Sequence, residues 1–119
     1  MSVAVGVADA AVDQQPQAVT WPVFETPLLG RKLVAAGTMS FMFGKPPGWT
    51  FRAGQFVDIT LINPPMTDAQ GDTRGFSVSS APSEGVITIT TRLRGSAFKR
   101  NLQQIPLGTM VKIERSQMP

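Results

Sequence analysis

The stretch Arg74-Gly75-Phe76-Ser77-Val78-Ser79-Ser80-Ala81-Pro82 holds the side chains in this sequence best suited to a ligand. Arg74 offers a planar fork of N–H donors that matches phosphate. Gly75 removes a side chain that would keep another molecule off the backbone. Phe76 adds a flat apolar face, and Ser77 a hydroxyl that both donates and accepts. Side chains alternate along an extended chain, so Phe76 and Val78 share one side while Ser77 and Ser79 share the other. A ligand lying along such a strand would touch ring, hydroxyl and backbone together. The same residues also describe an ordinary strand, with an Arg near its start, an aromatic for the core and serines before a proline turn. Taken alone they leave both readings open.

Composition narrows the chemistry. The 119 residues suit one domain with its own core. With 42% hydrophobic and 16% charged residues the chain is globular in type, and it has no apolar run long enough to span a bilayer. There is no cysteine and no histidine, which removes disulfides, thiolate nucleophiles, histidine triads and the usual zinc ligands. Chemistry must therefore come from a bound cofactor or not at all. The net charge is +3, and Asp9 and Asp13 are the only charges in the first twenty residues, so the positive excess is larger over the remainder. That excess suits a phosphate-bearing ligand. It argues against nucleic acid, because the basic residues are scattered apart from Arg92, Arg94, Lys99 and Arg100. No basic segment followed by an apolar run marks a secretory signal, so a cytoplasmic, non-membrane protein is expected.

The elements that must position the motif are mostly strands. Residues 1–20 read as a disordered leader, or alternatively as a stray added strand or helix. Prolines between Trp21 and Pro27 break any helix, and Leu28 to Lys32 reads as a turn into the first strand region, Leu33 to Phe43. Gly44 to Gly48 is a turn. Over Phe51 to Ile62, Val57, Ile59 and Leu61 alternate with Asp58, Thr60 and Ile62, the clearest strand pattern in the chain. Gly54 there marks a tight backbone approach or a bulge. Residues 63–73 form a surface loop that precedes the motif strand. Val86 to Arg94 is a β-branched strand. Ser96 is a good N-cap for a short helix through Leu102, and the last strand runs from Met110 to Glu114. A helix start of this kind favours an anion, although a plain strand-to-helix connection needs none.

Arg-Gly-Phe-Ser is similar to the Arg-x-Tyr/Phe-Ser/Thr motif of the flavin-binding domain of the ferredoxin-NADP reductase family, with Ser-Ala-Pro following in the usual place. Ala53-Gly54-Gln55-Phe56 resembles the Pro/Ala-Gly-Gln-aromatic signature that precedes it in the same family. The resemblance covers roughly Lys32 to Glu114 and implies an FAD-binding domain over residues 21–114. The implied fold is a small all-β, six-stranded antiparallel Greek-key barrel with one short helix. It implies FAD, in preference to FMN. Arg74 would bind flavin phosphate, Phe76 would lie against the ring system, and Ser77, near flavin N5, would be the catalytic group, with Gly75 and Val78 as neighbouring contacts. Thr91 and Arg92 would meet the flavin ring edge, and Ser96 and Ala97 would supply helix-start groups near phosphate. The family's Gly-x-x-Ser/Thr phosphate turn is matched only loosely, because Phe98 follows Gly95 by three and Lys99 follows Ser96 by three. Phe76 also lacks the hydroxyl of the commoner Tyr.

The family continues from the last strand into a Gly-Pro pair and a nicotinamide-binding domain, where this sequence reads Glu114-Arg115-Ser116-Gln117-Met118-Pro119. Residues 115–119 are therefore expected to be a truncated tail. A frameshift would explain it, since deleting the first base of CGG TCC codons restores Gly-Pro. The resemblance implies hydride uptake from a nicotinamide cofactor held on a separate domain, and an iron-sulfur or other electron-transfer protein as acceptor. Two other functions remain open at this level. One is a non-catalytic barrel that binds a partner polypeptide, and the other is a basic nucleic-acid-binding barrel.

Overall fold

The computed structural model describes residues 23–52 and 54–115; the expected leader, Ala53 of the second motif and the tail beyond Arg115 lie outside the described residues. Among the described residues, six strands and one helix follow in the order β1 (Phe24–Ala35), β2 (Thr38–Gly44), β3 (Phe56–Leu61), β4 (Thr73–Ser77), β5 (Val86–Arg92), α1 (Ala97–Gln104) and β6 (Met110–Arg115). All strand pairs are antiparallel, in the order β4-β3-β6-β1-β2-β5. Period-two burial accounts for these strands. In β3, Val57, Ile59 and Leu61 are buried while Asp58 and Thr60 are not; in β5, Ile87 and Ile89 are buried while Val86, Thr88 and Thr90 are not. Val111 and Ile113 of β6 and Phe41 and Phe43 of β2 complete the inner face, and Phe98 and Leu102 of α1 pack against it.

The expected barrel is not closed. Strands β4 and β5 are the two edges of a single sheet, and they meet only at an isolated bridge between Val78 and Ile89. Closing a barrel requires a continuous ladder at every neighbour, and none joins Thr73–Ser77 to Thr90–Arg92. The open seam is where the motif strand lies.

The expected turn at Leu28 to Lys32 is also corrected, because these residues are the middle of β1. Gly30 misled as a turn signal; it sits at a bulge where β1 changes partner. Residues 24–27 pair with β6, and residues 28–35 pair with β2 after a register shift between Leu28 and Gly30. A Cβ at Gly30 would come within 3.0 Å of Met42 Cε, so glycine also fits the close packing there. The true turn is Ala36-Gly37, with Gly37 at φ 69°. Phe51 likewise precedes β3; it packs beside Trp49 with ring centroids 5.5 Å apart.

Candidate functional site

The two motifs are joined by backbone hydrogen bonds. Val78 N–H donates to Gln55 O at 2.8 Å, and Gly54 N–H donates to Val78 O at 3.3 Å. Gly54 has φ 79°, a left-handed conformation that only glycine adopts without strain, so the Gly-Gln turn is shaped to grip the end of the motif strand. Beyond this grip Ser79 N–H reaches Thr88 O at 2.7 Å, which ties the strand to β5. Past the Val78–Ile89 bridge, towards Thr73, no further pair among the described residues joins β4 to β5 and the seam is open.

Helix α1 spans the opening. Its Phe98 is buried, with its ring centroid 5.7 Å from that of Phe76 and 5.8 Å from the Arg74 guanidinium carbon. On the other side Lys99 Nζ donates to Arg92 O at 2.8 Å, at the end of β5. The helix begins at Ser96, whose extended backbone and side-chain oxygen, accepting from Lys99 N–H at 3.2 Å, make it the N-cap. The result is a shallow groove of about 420 Å³ lined by Asp68, Gln70, Arg74, Arg94, Gly95, Ser96 and Lys99. Three cations face one carboxylate there, which suits a multiply charged anion. Burial lowers the Lys99 pKa, and neighbouring Arg94 and Arg74 lower it further.

The structure brings Arg74, Ser96 and Ala97 to this groove, with Phe76 beside it. Gly75 and Ser77 lie on the opposite face of β4. Ser77 is exposed, and in register with Phe56, which is 47% exposed. A Cβ on Gly75 would stand 3.2 Å from Asp58 Oδ1, so glycine makes room on that outer face. Val78 is buried and both of its backbone groups are engaged, so it frames the seam from the core. Thr91 and Arg92 lie on the facing edge, paired with Met39 and Thr38 of β2; Arg92 presents its carbonyl to Lys99.

Four groove or near-groove residues carry roles that the motifs do not contain. Asp68 Oδ2 accepts Ala97 N–H at 2.9 Å, and its Oδ1 accepts Gln70 N–H at 2.9 Å. These two bonds, the Ala97 one first, hold its carboxyl below the ordinary aspartate value against a small opposing effect of desolvation, with Arg74 and Arg100 adding to the lowering. Gln70 Oε1 accepts from Arg74 Nη2. Phe98 is the apolar floor under Arg74, and Lys99 joins the helix to β5. Asp68 and Gln70 read in sequence only as polar turn formers, since the Asp68 partner lies 29 residues away.

The sequence matches no protein-family model and no curated protein. Solved structures do match. A ferredoxin NADP+ reductase from Neisseria gonorrhoeae with bound FAD and NADP aligns over 79% of this chain and 37% of its own, at 19% identity and TM-score 0.63. Phthalate dioxygenase reductase, a modular structure for electron transfer from pyridine nucleotides to 2Fe-2S, aligns over 82% and 31%, at 17% identity and TM-score 0.59. The cytochrome b5 reductase domain of Ulva prolifera nitrate reductase aligns over 77% and 40%, at 16% identity and TM-score 0.58. The chain thus spans less than half the length of each of these structures. The six antiparallel strands and short helix implied by the two motifs are observed, in a sheet that stays open: this chain has the fold of part of the ferredoxin-NADP reductase-like proteins, with its motif strand at the open edge.

Proposed function

We propose that this chain is the flavin-holding part of a flavin-dependent oxidoreductase, with FAD as cofactor in preference to FMN. The observation that carries this reading is the convergence of Arg74, Lys99 and a helix start on one groove at the open seam, in a fold shared with a reductase that binds FAD. Arg74 and Lys99 would hold phosphate through charge-assisted hydrogen bonds, with Arg94 adding positive charge. Thr91 and Arg92 would border the ligand from β5.

Phe76 and Ser77 point to opposite faces of β4, which for an inner strand would keep them from sharing a ligand. Strand β4 is an edge, so a planar group laid across that edge reaches both. Phe76, half-buried against Phe98, is an apolar surface, and the exposed Ser77 hydroxyl would hold or move a proton at Oγ. The bound flavin would supply hydride uptake and electron release. Its hydride source would be a nicotinamide cofactor on a separate domain or polypeptide, and its acceptor an iron-sulfur or other electron-transfer protein.

The test is a visible-absorbance and fluorescence titration of the chain with FAD and FMN, repeated with Arg74→Ala and Ser77→Ala. FAD binding by the wild type, weakened about tenfold or more in Arg74→Ala and little changed in Ser77→Ala, supports the assignment. Absence of binding by either flavin favours a barrel-derived fold that acts through a partner polypeptide.

A further inference from the structure

The anion-holding end of the groove is already engaged by the protein itself. Ala97 N–H, a free donor at the start of an isolated helix, is held by the Asp68 carboxylate at 2.9 Å. Two residues further on, Gln70 holds the Arg74 guanidinium. Both parts of the phosphate site, the helix start and the arginine, are therefore tied by one loop tip. That tip is a tight turn, with Gly71 N–H donating to Asp68 O at 3.1 Å and Gly71 at φ 82°.

The base of the same loop is fixed independently. Met66 N–H donates to Asn101 Oδ1 at 3.1 Å and Asn101 Nδ2 donates to Met66 O at 2.8 Å, and Asn101 is 1% exposed in the face of α1. A buried amide with both ends satisfied is expensive to release. Asp68 itself is exposed, so its carboxylate can swing into water without a burial penalty while Met66 stays clasped. The loop thus has an anchored base and a displaceable acidic tip.

We propose that Asp68 is a built-in competitor for the ligand's phosphate: it occupies the helix-start donor in the free protein and must be displaced when a phosphate-bearing flavin binds. The proposal rests on the flavin reading above and adds a residue that tunes it. Asp68 then weakens retention of phosphorylated flavins and leaves an unphosphorylated one unaffected, so it sets how strongly the site selects for phosphate. Displacement of Asp68 also relaxes the turn that holds Gln70, which frees Arg74 to close on the same phosphate.

The experiment is a fluorescence titration of FMN, FAD and riboflavin against wild type, Asp68→Asn and Asp68→Ala, with folding of each variant checked by circular dichroism. Asp68→Ala is expected to bind FMN and FAD roughly three- to tenfold more tightly, with riboflavin unchanged. Asp68→Asn keeps an acceptor for Ala97 N–H without the charge, and is expected to fall between Asp68→Ala and wild type. FMN and FAD affinities that stay equal or fall in both variants overturn the competition while leaving flavin binding intact. So does a gain that riboflavin shares, because the effect would then lie away from phosphate. Failure of wild type and both variants to bind any flavin removes the flavin reading, and the competition with it.

Discussion

The two ends of the seam between β4 and β5 are built from different kinds of residue. At the bridged end the serine hydroxyls bond to neighbouring backbone: Ser80 Oγ donates to Val86 O at 3.1 Å and accepts Thr88 N–H at 3.0 Å, and Ser79 Oγ donates to Thr88 O at 3.1 Å. Ser80 is buried and Val78 closes over the core beside it. At the open end the groups are charged, solvent-facing and held by a loop tip. Under the proposed function, the serines after the motif would serve stability and the arginine before them recognition. The short sequence from Arg74 to Ser80 changes purpose at Val78, where the backbone is gripped by Gly54 and Gln55.

That contrast is open to attack, starting where it should break most visibly. Phe98→Ala removes a fully buried ring that supports both Phe76 and Arg74, and is expected to cost about 3–5 kcal/mol of stability in a denaturant titration and to abolish flavin binding with it. Arg74→Ala should leave the denaturation midpoint nearly unchanged and loosen FAD by about 1.5–3 kcal/mol, read by fluorescence titration. Ser80→Ala should do the reverse. It leaves Thr88 N–H without its partner and is expected to destabilise by about 1–3 kcal/mol, with FAD affinity unchanged in the folded protein. An Arg74 variant that unfolds, or a Ser80 variant that selectively loses flavin, would erase the distinction between the two ends.

The smallest effect is one of pH. The Asp68 carboxyl is lowered below its ordinary value of 3.8 first by the Ala97 N–H bond and then by the Gln70 N–H bond. Its contribution is therefore complete above the unfolded-state value and is lost as pH falls through the lower folded-state value. The amide resonances of Ala97 and Gln70 should shift together with a common midpoint below the ordinary value of 3.8, and both should be insensitive to acid in Asp68→Asn. Independent movement of the two amides would contradict a shared carboxylate.

The inner faces of β3 and β5 were legible because strict alternation leaves one reading, as in Val57-Asp58-Ile59-Thr60-Leu61. The N-cap role of Ser96 was legible from its type and place before a run of helix formers. Strand β1 was not, because Pro27 and Gly30 carry the residue types of a turn, while their job is a partner switch that depends on β6, far away in sequence. Of the site, the Arg74 and Ser96 ends were legible through motif and cap chemistry. Their meeting in one groove was not, nor was Asp68, because a hydrogen bond across 29 residues leaves no local periodicity. The open seam was equally hidden: strand count and alternation are the same for a closed barrel and for a sheet joined by a single bridge.

In the proposed function a flavin binds across the open end of the seam with its phosphate in the groove. The most direct measurement is an amide chemical-shift titration of the isotope-labelled chain with FAD. Shifts concentrated at residues 74–77, 91–92 and 95–99, with movement of Asp68 and Gln70 as the loop tip is displaced, are the predicted result. Shifts centred on the outer face around Glu25, Asp58 and Glu114, or in the apolar pocket between Ile62 and Met110, would contradict it.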